Sequence, residues 1–160
     1  MMSKALVAYF SATGTTERAA KSLAKAAGAD LYRISPAEPY SSRDLNWNNS
    51  SSRSSVEVGD DSSRPALAQA APDLSSYDAV FVGFPIWWYV EPRIVDTFLE
   101  ACDLGGKTVV PFATSGSSGI SHAASRMRGL VPQARVFDGR MMNDRPSTSE
   151  LEAWIQGLGL

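Results

Sequence analysis

The sequence predicts an α/β fold: an open, five-stranded parallel sheet in the order 2-1-3-4-5, with helices on both faces. Three observations predict it. Strand-like apolar runs alternate along the chain with amphipathic, helix-like runs, the pattern of successive βα units. The runs at 4–10 and 79–84 are apolar throughout rather than at every second residue, as expected of strands covered on both faces. The loops at 11–16, 85–92 and 113–121 each follow a strand. An open parallel sheet takes its ligands there, at the point where strand order reverses, and the order 2-1-3-4-5 brings these three loops to one crevice.

The elements follow in order. Lys4–Phe10 reads as the first strand, and Thr15–Ala27 as a helix with Ala19, Ala20, Leu23, Ala24 and Ala27 on its apolar face. Asp30–Ser35 reads as a second, more exposed strand. A short helix is expected around Pro65–Ala71, with Pro65 in its first turn. Ala79–Phe84 is the third strand and a central one. Glu91–Cys102 is a helix carrying Ile94, Val95, Phe98, Leu99 and Cys102 on one face. Thr108–Ala113 is the fourth strand, Ser121–Gly129 a helix with a glycine stop, and Ala134–Phe137 a short fifth strand. Ser147–Ile155 closes the chain as a helix with Leu151, Trp154 and Ile155 inward. A length of 160 residues suits one domain over 1–160.

Residues 36–64 break this rhythm. They hold nine serines between Ser41 and Ser63, with Asn46, Trp47, Asn48 and Asn49. Leu45, Trp47 and Val56 are apolar groups that a flexible linker does not need. The segment reads as an ordered flap reaching over the crevice, with Asp60 and Asp61 in a solvated turn.

Composition excludes several classes. Net charge is −2 and no segment clusters Lys or Arg, which argues against nucleic acid as a partner. Cys102 is the only cysteine, so no internal disulfide or multi-cysteine metal site can form, and its place on an apolar stripe marks a buried, inert thiol. His122 is the only histidine, which excludes a histidine metal site and makes a hydrolase triad a poor reading. No catalytic acid, base or nucleophile is assigned. No apolar run approaches the ~18 residues of a membrane span, and no secretory signal opens the chain, so a cytoplasmic location without membrane attachment is expected.

The loop Ser11, Ala12, Thr13, Gly14, Thr15, Thr16 carries the strongest functional signal. A helix N-terminus offers unpaired N–H groups and partial positive charge, and a small-residue loop lets backbone wrap a phosphate. Four hydroxyls and a glycine in six positions exceed what a simple helix cap needs. There is no Lys or Arg in the loop, so the phosphate would be held by dipoles. After the third strand, Pro85, Ile86, Trp87, Trp88 and Tyr89 place three aromatics in a row. They cannot all point inward; one of Trp87 and Trp88 is expected to pack under the next helix and the other to meet a flat aromatic ligand. After the fourth strand, Thr114, Ser115, Gly116 and Gly119 form an uncharged loop suited to the polar edge of a heteroaromatic ring. P-loop and Gly-x-Gly-x-x-Gly signatures are absent.

Together these three loops resemble those of the flavodoxin family. The Ser-x-Thr-Gly-x-Thr loop at 11–16 is similar to its FMN phosphate loop, 85–89 to the loop that lays an aromatic ring on the flavin, and 113–119 to the loop that holds the flavin edge. The resemblance implies non-covalent FMN and electron transfer with a redox partner protein. The alternatives are an FMN-dependent reductase of quinones or similar acceptors, served by a nicotinamide cofactor, and a flavin-free interaction module. The chain departs from many members in lacking an aromatic and acids at 113–121 and in its low net charge. That implies a less negative potential for the second electron, weaker charge steering, and another group on the second flavin face, Trp47 or the second tryptophan of the pair.

Overall fold

Burial of both faces of the central strands sets the layers of the computed structural model, which describes residues 4–115 and 119–160. The strands are β1 (Ala5–Tyr9), β2 (Asp30–Arg33), β3 (Ala79–Pro85), β4 (Thr108–Thr114), β5 (Arg135–Val136) and β6 (Arg140–Met141). The helices are α1 (Thr15–Ala27), α2 (Arg53–Val58), α3 (Arg93–Ala101), α4 (Ser121–Leu130) and α5 (Thr148–Gly157). All paired strands are parallel, in the order β2-β1-β3-β4-β5, with β6 also on β4. Leu6, Ala8, Val80 and Val82 face the apolar stripes of α3 and α4, including Ile94, Phe98 and Met127. Val7, Tyr9, Phe81 and Phe112 face the opposite layer, with Leu23 of α1 and Leu151 of α5. Among the described residues no helix is long and apolar enough to cross a membrane.

The fifth strand is shorter than its sequence suggests and has a continuation. Val109 accepts the Phe137 N–H at 2.9 Å and Ala113 the Met142 N–H at 2.8 Å, so residues 109, 111 and 113 turn their polar groups to this neighbour. Residue 111 is proline and has no N–H to give. The neighbouring strand breaks opposite it into β5 and β6. Gly139 sits in the break with φ 81°, and a Cβ there would lie 2.3 Å from the Pro111 carbonyl oxygen.

Residues 65–71 do not form the expected helix. Their backbone pairs instead with the chain leaving β2: Ala37 N–H donates to Ala66 at 2.8 Å, Ala68 N–H to Ser35 at 2.8 Å, and Pro36 and Leu67 form an antiparallel bridge. Edge pairing gives these backbone groups partners across the excursion, and it pins together its two ends.

Between those ends the serine-rich segment is ordered and contains α2, capped by the Ser52 side chain. Tyr40 inserts its ring against Phe10 and Trp87. Its hydroxyl donates to Glu57, and Arg53 lies over the ring at 3.9 Å while pairing with Glu57 at 2.9 Å. Below α2 lies a buried charge cluster. Arg93 is 2 % exposed and donates to the carbonyls of Glu57 and Val58 at 3.3 and 2.8 Å, closing the C-terminus of α2. It also meets Asp61 at 3.0 Å and Asp96 at 3.4 Å. Asp61 is the solvated turn residue expected, its side chain 83 % exposed, and it reaches Arg93 from there; Asp60 accepts from Ser62. Arg126 from α4 pairs with Glu91 at 2.8 Å and Asp96 at 3.2 Å, and Arg64 lies 3.9 Å from Asp96. The excursion is thus held to α3 and α4 by charge, and its serines by short turns.

Two carboxylate oxygens in this cluster, Glu91 Oε2 and Asp96 Oδ1, are buried without a hydrogen-bond partner among the described residues. Burial, and then the Asp96 carboxylate, push Glu91 up to about 7 against the pull of Arg126. Glu91 therefore holds its proton more tightly folded than unfolded. Its contribution to stability is full below the ordinary value of 4.5 and is lost as pH rises through about 7. Urea midpoints should fall from about pH 5 to about pH 7.5, and Glu91→Gln should flatten that fall. Gly83 of β3 has a different role: a Cβ there would lie 2.1 Å from the Phe112 ring. Gly83→Ala should cost about 1–3 kcal/mol of unfolding free energy, read from the same midpoints.

Candidate ligand site at the carboxyl ends of three strands

The site starts from Gly14. It takes φ 97°, a left-handed conformation that glycine adopts without strain, and starts α1 there. No side chain caps this N-terminus. Ser11, the buried first residue of the loop, turns its Oγ to accept the Gly14 N–H at 3.0 Å and so closes the loop on itself. Ala12 is half-buried, and Thr13 and Thr15 are exposed. The uncapped first turn of α1 thus follows a loop with exposed hydroxyl residues, a setting that suits an anion. The nearest acid, Glu17, is drawn away. It pairs with Arg33 at 2.9 Å and accepts the Tyr9 hydroxyl at 3.0 Å, and that hydroxyl, with Lys21 and Arg33, holds its carboxyl below the usual range.

Thr114, at the end of β4, ties the loops to one another. Its hydroxyl lies 2.8 Å from that of buried Thr16, and its carbonyl accepts the Ile86 N–H at 2.9 Å. Ser115 N–H donates to Asn143 Oδ1 at 2.9 Å, which adds the segment after β6. Gly119 is exposed, and Gly116 lies outside the described residues.

Beyond Pro85 and Ile86, both half-buried, the chain makes a two-residue hairpin. Trp87 N–H donates to Val90 at 2.9 Å and Val90 N–H returns to Trp87 at 3.2 Å. The two residues at its tip, Trp88 and Tyr89, have φ 49° and 71°. Such turns ordinarily use asparagine and glycine, and two bulky side chains there carry strain of about 1–2 kcal/mol each. Trp87 packs inward, edge-on to Phe10 at 5.8 Å and to Tyr40 at 5.3 Å. Trp88 stands outward and lines a groove of about 430 Å³ with Trp47, Val58 and Gly59. Trp47 is 71 % exposed.

A second groove of about 460 Å³ runs beside α1, lined by Thr15, Arg18, Thr114, Ser115, Asn143 and Arg145 among others. Sequence reasoning passed over Arg18, Arg33, Asn143 and Arg145. Arg18 follows the loop by two residues and was hidden in the helix pattern, and the other three come near it only through β2 and β6. Cys102 is buried, and burial pushes its thiol up to about 12; His122 is exposed. Among the described residues no cluster could hold a metal ion.

No curated protein matches the chain. Solved structures do. A Bacteroides eggerthii protein, provisionally assigned as a flavoprotein, is 51 % identical, with 99 % of each chain covered and a TM-score of 0.95. One from Bacteroides uniformis, with the same provisional assignment, is 49 % identical over 98 % of this chain and 99 % of that one, with a TM-score of 0.92. A Lactobacillus acidophilus flavoprotein solved in complex with FMN shares the fold at 18 % identity, covering 96 % of this chain and 99 % of that one, with a TM-score of 0.72. The family model described as flavodoxin matches residues 4–158, and the chain belongs to the flavodoxin family.

Proposed function

We propose that this chain binds FMN non-covalently and serves as an electron carrier between redox partner proteins. The observation that carries the reading is the meeting of an uncapped α1 N-terminus and an aromatic hairpin on one residue, Thr114. The FMN complex of the Lactobacillus acidophilus relative supports it. The donors present fit the cofactor. The first-turn N–H groups of α1, with Thr13 and Thr15, would hold its phosphate, and Thr114, Ser115, Gly116 and Gly119 the polar edge of its ring. Trp87, inward but only half-buried, is the ring support in this reading, in place of the outward tryptophan that the sequence favoured. Phe10 and Tyr40 fix its indole from two sides, so the platform is rigid before any ligand arrives. Trp88 faces the excursion, where Trp47 also lies. FMN supplies the redox chemistry when bound; the chain's own groups orient it and govern access.

Two measurements test this. Purified protein should take up added FMN, with Trp87→Ala weakening it about tenfold and shifting the visible spectrum, and Trp88→Ala changing neither. Equal effects of the two would place the ring elsewhere, and no uptake would favour a flavin-free interaction module. Reductive titration should proceed in two separate one-electron steps. A single two-electron step would favour the alternative, a nicotinamide-dependent reductase of quinones or similar acceptors.

A further inference from the structure

We infer that the groove between α1 and the segment after β6 is a second anion site, built for the phosphate or pyrophosphate group of a small ligand other than the cofactor. The proposal goes beyond the cofactor reading: the groove borders the cofactor loops at Thr15, Thr114 and Ser115, and its own groups are Arg18, Asn143 and Arg145. Its basis is a charge imbalance. Two guanidinium groups line this groove, Arg18 from the first turns of α1 and Arg145 from the turn before α5, and no acidic side chain does. Neither guanidinium has a partner among the described residues. Arg43 and Arg135 also form no carboxylate pair among the described residues; Arg18 and Arg145 differ in sharing one groove. Arg33, Arg53, Arg64, Arg93, Arg126, Arg128 and Arg140 are all paired with carboxylates.

The surroundings are arranged to match. Asp144, next to Arg145 in sequence, is drawn off by Arg140 through two contacts of 3.1 Å, so it does not neutralise the groove. Glu17, next to Arg18, is drawn off by Arg33. Arg145 itself is held at φ 48° just before Pro146, with its N–H on the Met142 carbonyl at 3.2 Å. Asn143 uses its Oδ1 on Ser115, which leaves its amide NH₂ as a further donor. Two fork-shaped cations with hydroxyl and amide donors between them match the charge and the several acceptor oxygens of a phosphoryl group. A volume of about 460 Å³ admits more than a bare ion.

The test is calorimetric titration of inorganic pyrophosphate into FMN-saturated protein. Saturable binding is expected, weakened about tenfold by Arg18→Gln and by Arg145→Gln, and weakened further by salt, while FMN affinity stays within about threefold of the parent. Both side chains are exposed, so neither variant should disturb folding. Absence of saturable binding, equal binding by the variants, or displacement of pyrophosphate by FMN overturns the proposal; the last would assign the arginines to the cofactor. If the protein takes up no FMN, the cofactor reading fails alone, and the same titration of FMN-free protein still decides the groove by the same criteria. ADP in place of pyrophosphate identifies the source: tighter binding points to a nucleotide, weaker binding to a smaller phosphate, and either supports the site.

Discussion

The hydroxyl pair of Thr16 and Thr114 is the contact on which the site's geometry depends. The two residues are far apart in sequence and come from different βα units, yet they meet at 2.8 Å where both are buried. A buried hydroxyl must find a partner or lose about 1–3 kcal/mol, so each fixes the other. Because Thr114 also accepts from Ile86, the first turn of α1, the end of β4 and the aromatic hairpin cannot shift independently. The ligand-facing loops of this sheet are thus locked from beneath by polar contacts, and their outer donors remain available.

The strain in the hairpin makes sense against that lock. Trp88 and Tyr89 keep a backbone that neither prefers because the elements on both sides are held. Ile86 is bonded to β4 before the turn, and Glu91 is buried in the charge cluster after it. Strain of this kind persists only where the surrounding structure over-determines the conformation. The same cluster fastens the excursion, so the hairpin and the excursion share one support.

Much of this was legible in the sequence because it rests on local periodicity. The continuous apolar runs located β1, β3 and β4, and the alanine stripe bounded α1. The loop at 11–16 was recognisable because its signal is contiguous. What escaped depends on partners distant in the chain. Residues 65–71 carry a proline start and helix-compatible alanines, but their backbone is claimed by residues 35–37 across the excursion. The helix α2, Arg53–Val58 with Ser52 as its cap, lies in a stretch whose composition reads as linker, and it is stabilised by Arg93 and Tyr40 from elsewhere. Arg126 and Asp96 lie 30 positions apart, and no spacing rule would pair them. Of the aromatic run, the sequence required that its members separate; only the packing of Trp87 on Phe10 and Tyr40 decided which one goes inward.

Pro111 has a consequence beyond the break it makes in its neighbour. A parallel sheet ends in a row of unpaired N–H and C=O groups, and a long flat edge strand is a template for another chain. Here that edge consists of two two-residue pieces set apart by a left-handed glycine. A foreign strand would find no run of evenly spaced groups to pair with. One imino acid in an interior strand therefore guards the border of the sheet, beside the charges of Arg135 and Arg140 on the same edge.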